Sequence, residues 1–263
     1  MILDDIIEHK KSELIQSINL KPLREIEEEI KEISQPKDFY NLATNHKGLK
    51  IISEVKKASP SKGLICKDFD PVRIAKSYRD NGAFAISVLT DKKFFDGQLG
   101  YLSGIRKEVD IPLLRKDFTI DPYQIYEARL YGADIILLIA SVLEMSQITE
   151  YLDVTHSLGM NAIVEVHNKN ELEKAVGAGS RIVGINNRDL KTFEVSLSTT
   201  EDLIELIPDH IHVISESGIS DPNDIRNLIR LGISTFLIGE TFMSSTDPGS
   251  KLGAFIKSVE EEI

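Results

Sequence analysis

From residue 49 onward the chain repeats one unit: a short apolar run, a polar turn, an amphipathic segment, a glycine, then another apolar run. The apolar runs cover 49–55, 84–89, 112–114, 134–140, 161–166, 181–185, 211–214 and 235–238. Runs this short, bounded by turn residues, predict buried strands. Between them, 71–81, 124–131, 144–158, 170–176, 221–231 and 251–260 carry helical periodicity. Gly82, Gly132, Gly159, Gly179 and Gly232 each precede a strand, where a helix C-cap is expected. Asp70-Pro71, Asp121-Pro122 and Ser220-Asp221-Pro222 mark helix starts, a capping side chain followed by a first-turn proline. Eight strands with helical crossovers is the number that closes a parallel barrel, so an α/β fold, a single (β/α)8 TIM barrel over 49–263, is predicted. An open doubly wound sheet would carry a glycine-rich phosphate loop after its first strand, and no G-x-G-x-x-G follows Val55.

Residues 1–48 stand outside this alternation. Ile2, Leu3, Ile6, Ile7, Leu14, Ile15 and Ile18 recur at helical spacing, 25–33 is a charged helical segment, and 38–43 predicts another short helix. These make a helical extension packed on the barrel, too acidic and short to be a domain alone. The Glu27-Glu28-Glu29 run is a solvated face.

The apolar content of 41% supports a core of this size, and 31 basic against 42 acidic residues leave a net charge of −11. That balance excludes generic binding to nucleic acid or to an anionic membrane. It leaves room for a small anion, because a local cluster of Lys and Arg overrides the global sign. Cys66 is the one cysteine, which rules out an intrachain disulfide and a multi-thiolate metal site and reads as an incidental loop thiol. No His/Asp/Glu grouping has metal-site spacing, so no metal is expected. The N-terminus lacks the basic start and apolar core of a secretory signal, and no apolar run approaches a membrane span. A cytoplasmic monomer is expected.

Polar residues gather at one end of the strands. Residues two apart share a face, so Glu54 and Lys56 project to one side where the first strand gives out. Such an acid and base are costly to desolvate, and hold either a ligand or a structural ion pair. Strand two ends in Thr90-Asp91-Lys92-Lys93-Phe94-Phe95 and strand three in Arg115-Lys116-Asp117-Phe118. Strand four ends without charge at Leu137-Leu138-Ile139, and strand five ends in Glu165. Asn186-Asn187-Arg188-Asp189, Ser215-Glu216-Ser217-Gly218 and Gly239-Glu240 follow the last three. Barrels of this type place their active sites at this end. Of adjacent Arg115 and Lys116, parity with Leu114 selects Lys116 as the interior residue and leaves Arg115 for an outer-layer carboxylate. The same parity pairs Glu165 with Ile163. His167 is read as a solvated or capping loop residue before a catalytic one. His210 and His212 fall at the wrong end for chemistry. The loops at Ser217-Gly218 and Gly239-Glu240 follow the two strands after which barrels bind phosphate; the alternative is ordinary turn glycine.

With these residues assembled, the chain resembles the indole-3-glycerol phosphate synthase family. The matching motifs are Glu54-Val-Lys-Lys-Ala-Ser-Pro-Ser-Lys-Gly63, Ser87-Val-Leu-Thr-Asp91 with Phe94-Phe-Asp-Gly97, and Leu114-Arg-Lys-Asp-Phe118. Further on come Ala162-Ile-Val-Glu-Val166, Gly184-Ile-Asn-Asn-Arg-Asp-Leu190, Ser215-Glu-Ser-Gly-Ile219 and Phe236-Leu-Ile-Gly-Glu240. Met1-Ile-Leu-Asp-Asp-Ile-Ile7 looks like the family's start, and the resemblance covers essentially the whole chain. Ser215, where the family often has Ala, and Asn187, at a variable position, are small departures.

The resemblance implies a carbon–carbon lyase of tryptophan biosynthesis acting on 1-(2-carboxyphenylamino)-1-deoxyribulose 5-phosphate. It implies that Lys116 donates a proton to the sugar ketone and that Glu165 trades protons in dehydration, with Lys56 as a second acid. By the same resemblance Glu54, Asn186, Glu216 and Ser217 position sugar hydroxyls and catalytic groups. Ser59 and Arg188 meet the anthranilate carboxylate or its surroundings. Phe95, Phe118, Leu137 and Leu190 wall the aromatic ring, and Gly218, Gly239 and Glu240 bind phosphate, mainly through backbone groups. No cofactor is implied, and the partner is a small phosphorylated substrate. The family's N-terminal helix is expected over the open top of the barrel; the alternative is that residues 1–48 plug its other end. A phosphoribosylanthranilate isomerase is expected to use a cysteine and an aspartate at strand ends, where this chain has Glu54-Val-Lys56 and keeps Cys66 in a loop. A non-enzymatic phosphometabolite-binding barrel would not need Lys56, Lys116 and Glu165 converging from three strands.

Overall fold

The predicted strands close on themselves. In the computed structural model, which describes residues 2–189 and 192–261, the barrel strands are β1 (Lys50–Val55), β2 (Ala85–Leu89), β3 (Leu113–Lys116) and β4 (Ile135–Ile139). They continue as β5 (Asn161–Val166), β6 (Ile182–Asn186), β7 (His212–Glu216) and β8 (Thr235–Ile238). Each is parallel to its sequence neighbours, and β1 pairs with β8 in the register Lys50↔Thr235 to Ser53↔Ile238, which closes the ring. Helices cross over on the outside, and their starts follow the capping chemistry read from sequence. Asp70 accepts from the N–H groups of Val72 and Arg73 at 3.0 Å, Asp121 from Tyr123 and Asp221 from Asn223, each at 2.8 Å. The helix before β4 ends in a left-handed turn at Gly132, φ 89°, which a side chain would strain.

Two packed layers result. Alternate strand residues such as Ile52, Ala85, Leu114, Ile163, Ile214 and Leu237 fill the barrel interior, and the opposite set packs under the helices. Three strands run further than their apolar runs: β3 to Lys116, β6 to Asn186 and β7 to Glu216. Ladder pairing does not stop at the last apolar side chain; Asn186↔Glu216 and Leu89↔Lys116 are still in register. The polar residues at these ends therefore sit on rigid strands. A two-stranded hairpin (Ala58–Ser59 with Gly63–Leu64) and short helices at Lys92–Phe95, Gly100–Arg106, Ser198–Ile204 and Glu240–Met243 complete the connections and were not predicted.

The N-terminal segment covers both ends. Helix α1 (Ile2–Leu20) lies across the C-terminal mouth, where the Lys10 ammonium is 2.8 Å from Asp91 and 2.9 Å from Asp117, beyond β2 and β3. Its far end is tied down by the Tyr123 hydroxyl, which donates to the carbonyls of Ser17 at 3.0 Å and Lys21 at 2.8 Å. Helix α2 (Leu23–Ile30) packs on the helix Pro122–Leu130. Helix α3 (Phe39–Asn45) then plugs the opposite end: Phe39 and Ala43 join the interior cluster, and the Tyr40 N–H donates to Asn161 at the start of β5. α1 buries only the start of its apolar repeat, at Ile6. Ile15 is 62% exposed, whereas the cationic Lys10 is 5% exposed.

Candidate active site

Four strands place a cluster of acids and bases inside the mouth. Lys116, the last residue of β3, has its ammonium 2.8 Å from Glu165 Oε2 on β5 and 3.2 Å from Glu216 Oε2 at the end of β7. On β1, the Lys56 ammonium just beyond the strand lies 2.6 Å from Glu54 Oε2. Glycines make room for these carboxylates. A Cβ on Gly184 would collide with Glu216 Oε1, and one on Gly239 with Glu54 Oε2.

The charges set each other's proton affinity. Burial opposes the charge on Lys116, but Glu165, Glu216 and Glu54 outweigh it and raise its pKa above the usual lysine value. Burial likewise opposes ionisation of Glu165, yet Lys116 and His167 hold its carboxyl below the ordinary range. Glu216 goes the other way: burial, reinforced by Glu165 and Glu54 against the pull of Lys116, pushes it up to about 7. The site thus holds a charged ammonium, an ionised carboxylate and a carboxyl that exchanges its proton near neutrality, which suits acid–base chemistry.

The residues singled out from sequence come together. Glu54, Lys56, Ser59, Phe95, Lys116, Phe118, Leu137, Glu165, Asn186, Arg188, Glu216, Ser217, Gly218, Gly239 and Glu240 all line one cavity of about 1040 Å³. Leu190 lies outside the described residues. The wall has two characters. Phe95, Phe118 and Leu137, from the β2–β4 side, form an apolar face with Ile2, Leu3 and Ile6 of α1; the Phe95 and Phe118 ring centroids are 6.2 Å apart. Across the barrel, Ser217 (φ 65°) and Gly218 (φ 80°) turn the chain sharply after β7, beside Gly239 after β8. The left-handed region is uncommon for serine, and a buried side chain pins this turn. Asn187 Nδ2 donates to Ser215 Oγ and the Glu216 carbonyl, both at 3.0 Å, and Thr200 Oγ1 donates to Asn187 Oδ1 at 2.8 Å. The two departures from the family motifs, Asn187 and Ser215, are therefore in contact with each other.

Other residues fall where parity put them or reveal what parity missed. Arg115 turns outward and pairs with Glu127 on the outer helix at 2.8 Å and with Asp117 at 3.2 Å. His212 sits at the closed end, 2.8 Å from Thr235 Oγ1. Arg188 and Lys62 both approach Glu240 at 3.3 Å. Sequence reasoning did not find the Lys10 anchor, whose partners are the inner carboxylates of Asp91 and Asp117. Nor did it place His167 at Glu165, although the ring Nε2 is 3.6 Å from Glu165 Oε1.

The model of the family described as indole-3-glycerol phosphate synthase matches residues 3–255. The chain belongs to the indole-3-glycerol phosphate synthase family. It is 46% identical over 260 residues to the indole-3-glycerol phosphate synthase of Thermoanaerobacter pseudethanolicus, covering 99% of each chain. To that of Acetivibrio thermocellus it is 48% identical over 257 residues, 97% of this chain and 99% of the relative. Among solved structures, KGPDC from Streptococcus mutans superimposes with a TM-score of 0.63 at 12% identity, over 82% of this chain and 99% of that one. The 3-hexulose-6-phosphate synthase of Salmonella typhimurium gives the same score and identity, over 82% of this chain and 100% of that one. At such identity these likenesses show the barrel fold alone.

Proposed function

We propose that the chain closes the indole ring of 1-(2-carboxyphenylamino)-1-deoxyribulose 5-phosphate, releasing carbon dioxide and water to give indole-3-glycerol phosphate in tryptophan biosynthesis. The observation that carries the reading is the Lys116 ammonium, held between Glu165 and Glu216 in one cavity with an apolar wall and a glycine-lined turn. The aromatic carbon bearing the carboxylate attacks the sugar ketone, and Lys116 gives the ketone oxygen its proton as charge develops there. Carbon dioxide then leaves and aromaticity returns. Dehydration follows, with Glu165 trading protons, Lys56 as a second acid, and Glu216, whose proton is labile near neutrality, beside them. Phe95, Phe118 and Leu137 take the aromatic ring, Ser59 and Arg188 its carboxylate end, and Gly218, Gly239 and Glu240 the phosphate. Glu54, Asn186 and Ser217 orient sugar hydroxyls and the lysines. The anilino nitrogen supplies the electron push, so the route needs no cofactor. The reading is of a cytoplasmic monomer.

Incubating the protein with the carboxyphenylamino substrate and following ultraviolet absorbance tests this reading. An indole chromophore is expected to appear, with equimolar carbon dioxide. Substrate that persists, or is consumed without forming an indole, would contradict it.

A further inference from the structure

We propose that His167 is a positioning residue for Glu165, a second cationic arm, held by Glu171, on the carboxylate oxygen that Lys116 does not hold. This inference deepens the functional reading above and rests on it for the role of Glu165. The geometry begins outside the site. The His167 backbone N–H donates to Glu171 Oε2 at 2.8 Å, and the ring Nδ1 lies 3.1 Å from the same oxygen. Glu171 is fixed in turn by Asn168, whose Nδ2 donates to Oε1 at 2.7 Å at the start of the helix Lys169–Gly177. A carboxylate at Nδ1 keeps a proton on that nitrogen. It also aims the other nitrogen inward: Nε2 is buried, has no hydrogen-bond partner, and lies 3.6 Å from Glu165 Oε1. The second oxygen, Oε2, is the one 2.8 Å from Lys116.

A neutral ring with its proton on Nδ1 would point a lone pair at a carboxylate oxygen, and the two would repel. The protonated ring points an N–H there instead. The groups facing the ring favour that form: Glu171 from the helix, Glu165 from β5 and Glu216 from β7, with the Lys116 ammonium opposing them beyond Glu165. Burial works against the charge, but the hydrogen bond the ring donates to Glu171 and the three carboxylates outweigh it and lift His167 above the ordinary histidine value. Glu165 thus lies between two cations, one per oxygen. It stays ionised and keeps one orientation, as a group that must accept a proton requires. When His167 loses its proton, Lys116 is the cation that remains, with the Asn186 hydrogen bond beside it.

Nuclear magnetic resonance titration of the histidine rings, with His167 assigned by His167→Gln, tests the coupling without using activity. Because pairwise coupling is reciprocal, the His167 midpoint is expected to fall by about one pH unit in Glu165→Gln and in Glu171→Gln. In turnover, His167→Gln is expected to lower kcat about tenfold below the His167 midpoint, the equivalent of one unit of coupling. The loss is expected to vanish above that midpoint, with KM within about twofold throughout because His167 does not line the cavity. If His167→Gln fails to fold, Glu171→Gln retains the ring, and its loss in kcat is expected between its lowered His167 midpoint and the parent's. A midpoint that does not move in Glu165→Gln, or a variant-to-parent ratio that is flat with pH, would overturn the proposal. If the parent makes no indole, the functional reading fails, and the titration still decides whether His167 and Glu165 are coupled.

Discussion

Replacing Lys116 with alanine is expected to lower kcat by about three orders of magnitude, the scale of losing a proton donor that also stabilises developing charge. Affinity for the product is expected to stay within a few-fold, because the aromatic wall and the glycine turns do not depend on this side chain. Single-turnover measurement beside a product-binding titration separates the two, and turnover close to the parent's would sink the assignment. The substitution also carries a pH signature in stability. Glu216, pushed up from 4.5 to about 7, holds in the native state a proton that the unfolded chain releases between those values. Native stability therefore falls as pH rises through that window. Without Lys116, Glu165 and Glu216 face each other with no ammonium between them, so the fall with pH is expected to steepen.

The second large effect is expected from Lys10→Met. The Lys10 ammonium is within 2.9 Å of Asp91 and Asp117 and within 2.7 Å of Glu13. Burial opposes its charge, but Asp117 and Asp91 outweigh this and raise its pKa. Removing Lys10 leaves buried Asp91 without its cation and Asp117 with Arg115 alone, at a cost of about 3–5 kcal/mol. For a chain of this size that is a fall in Tm on the order of 10 °C. Because Ile2, Leu3 and Ile6 of the same helix line the cavity, KM is expected to rise about tenfold as α1 loosens and water reaches the ring. Thermal denaturation and steady-state kinetics on one preparation check both. A stable variant with unchanged KM would show that α1 does not serve the site. Deleting all of residues 1–48 would not discriminate, since it would also remove the Phe39 plug from the barrel floor.

The strand count, the barrel and the parity of Lys116 over Arg115 were legible because each rests on local periodicity and on capping chemistry. The extra length of β6 and β7 was not, because the apolar pattern ends at Ile185 and Ile214 while ladder pairing continues through polar residues. α1 resisted for a related reason: it is held by a buried ion pair, and Ile15 and Ile18 on its apolar repeat stay exposed. His167 carried a plausible local signal, since a histidine at a strand end followed by Asn168 and Glu171 reads as a helix start. Its approach to Glu165 depends on where Glu171 holds the ring, which spacing along the chain does not encode. Asn187 and Ser215, 28 residues apart, likewise meet only through the β6–β7 register.

The central claim is that the ketone oxygen is delivered to Lys116, with the aromatic ring and the phosphate on opposite sides of the mouth. A crystal structure with the substrate's ketone reduced to an alcohol tests this most directly, because the alcohol has no carbonyl carbon to attack and the complex persists. The account predicts that alcohol oxygen within hydrogen-bond reach of Lys116 Nζ. It places the ring against Phe95 and Phe118 and the phosphate against the backbone of Gly218 and Gly239. An alcohol oxygen beyond reach of Lys116, or a ligand bound with ring and phosphate exchanged, would contradict it.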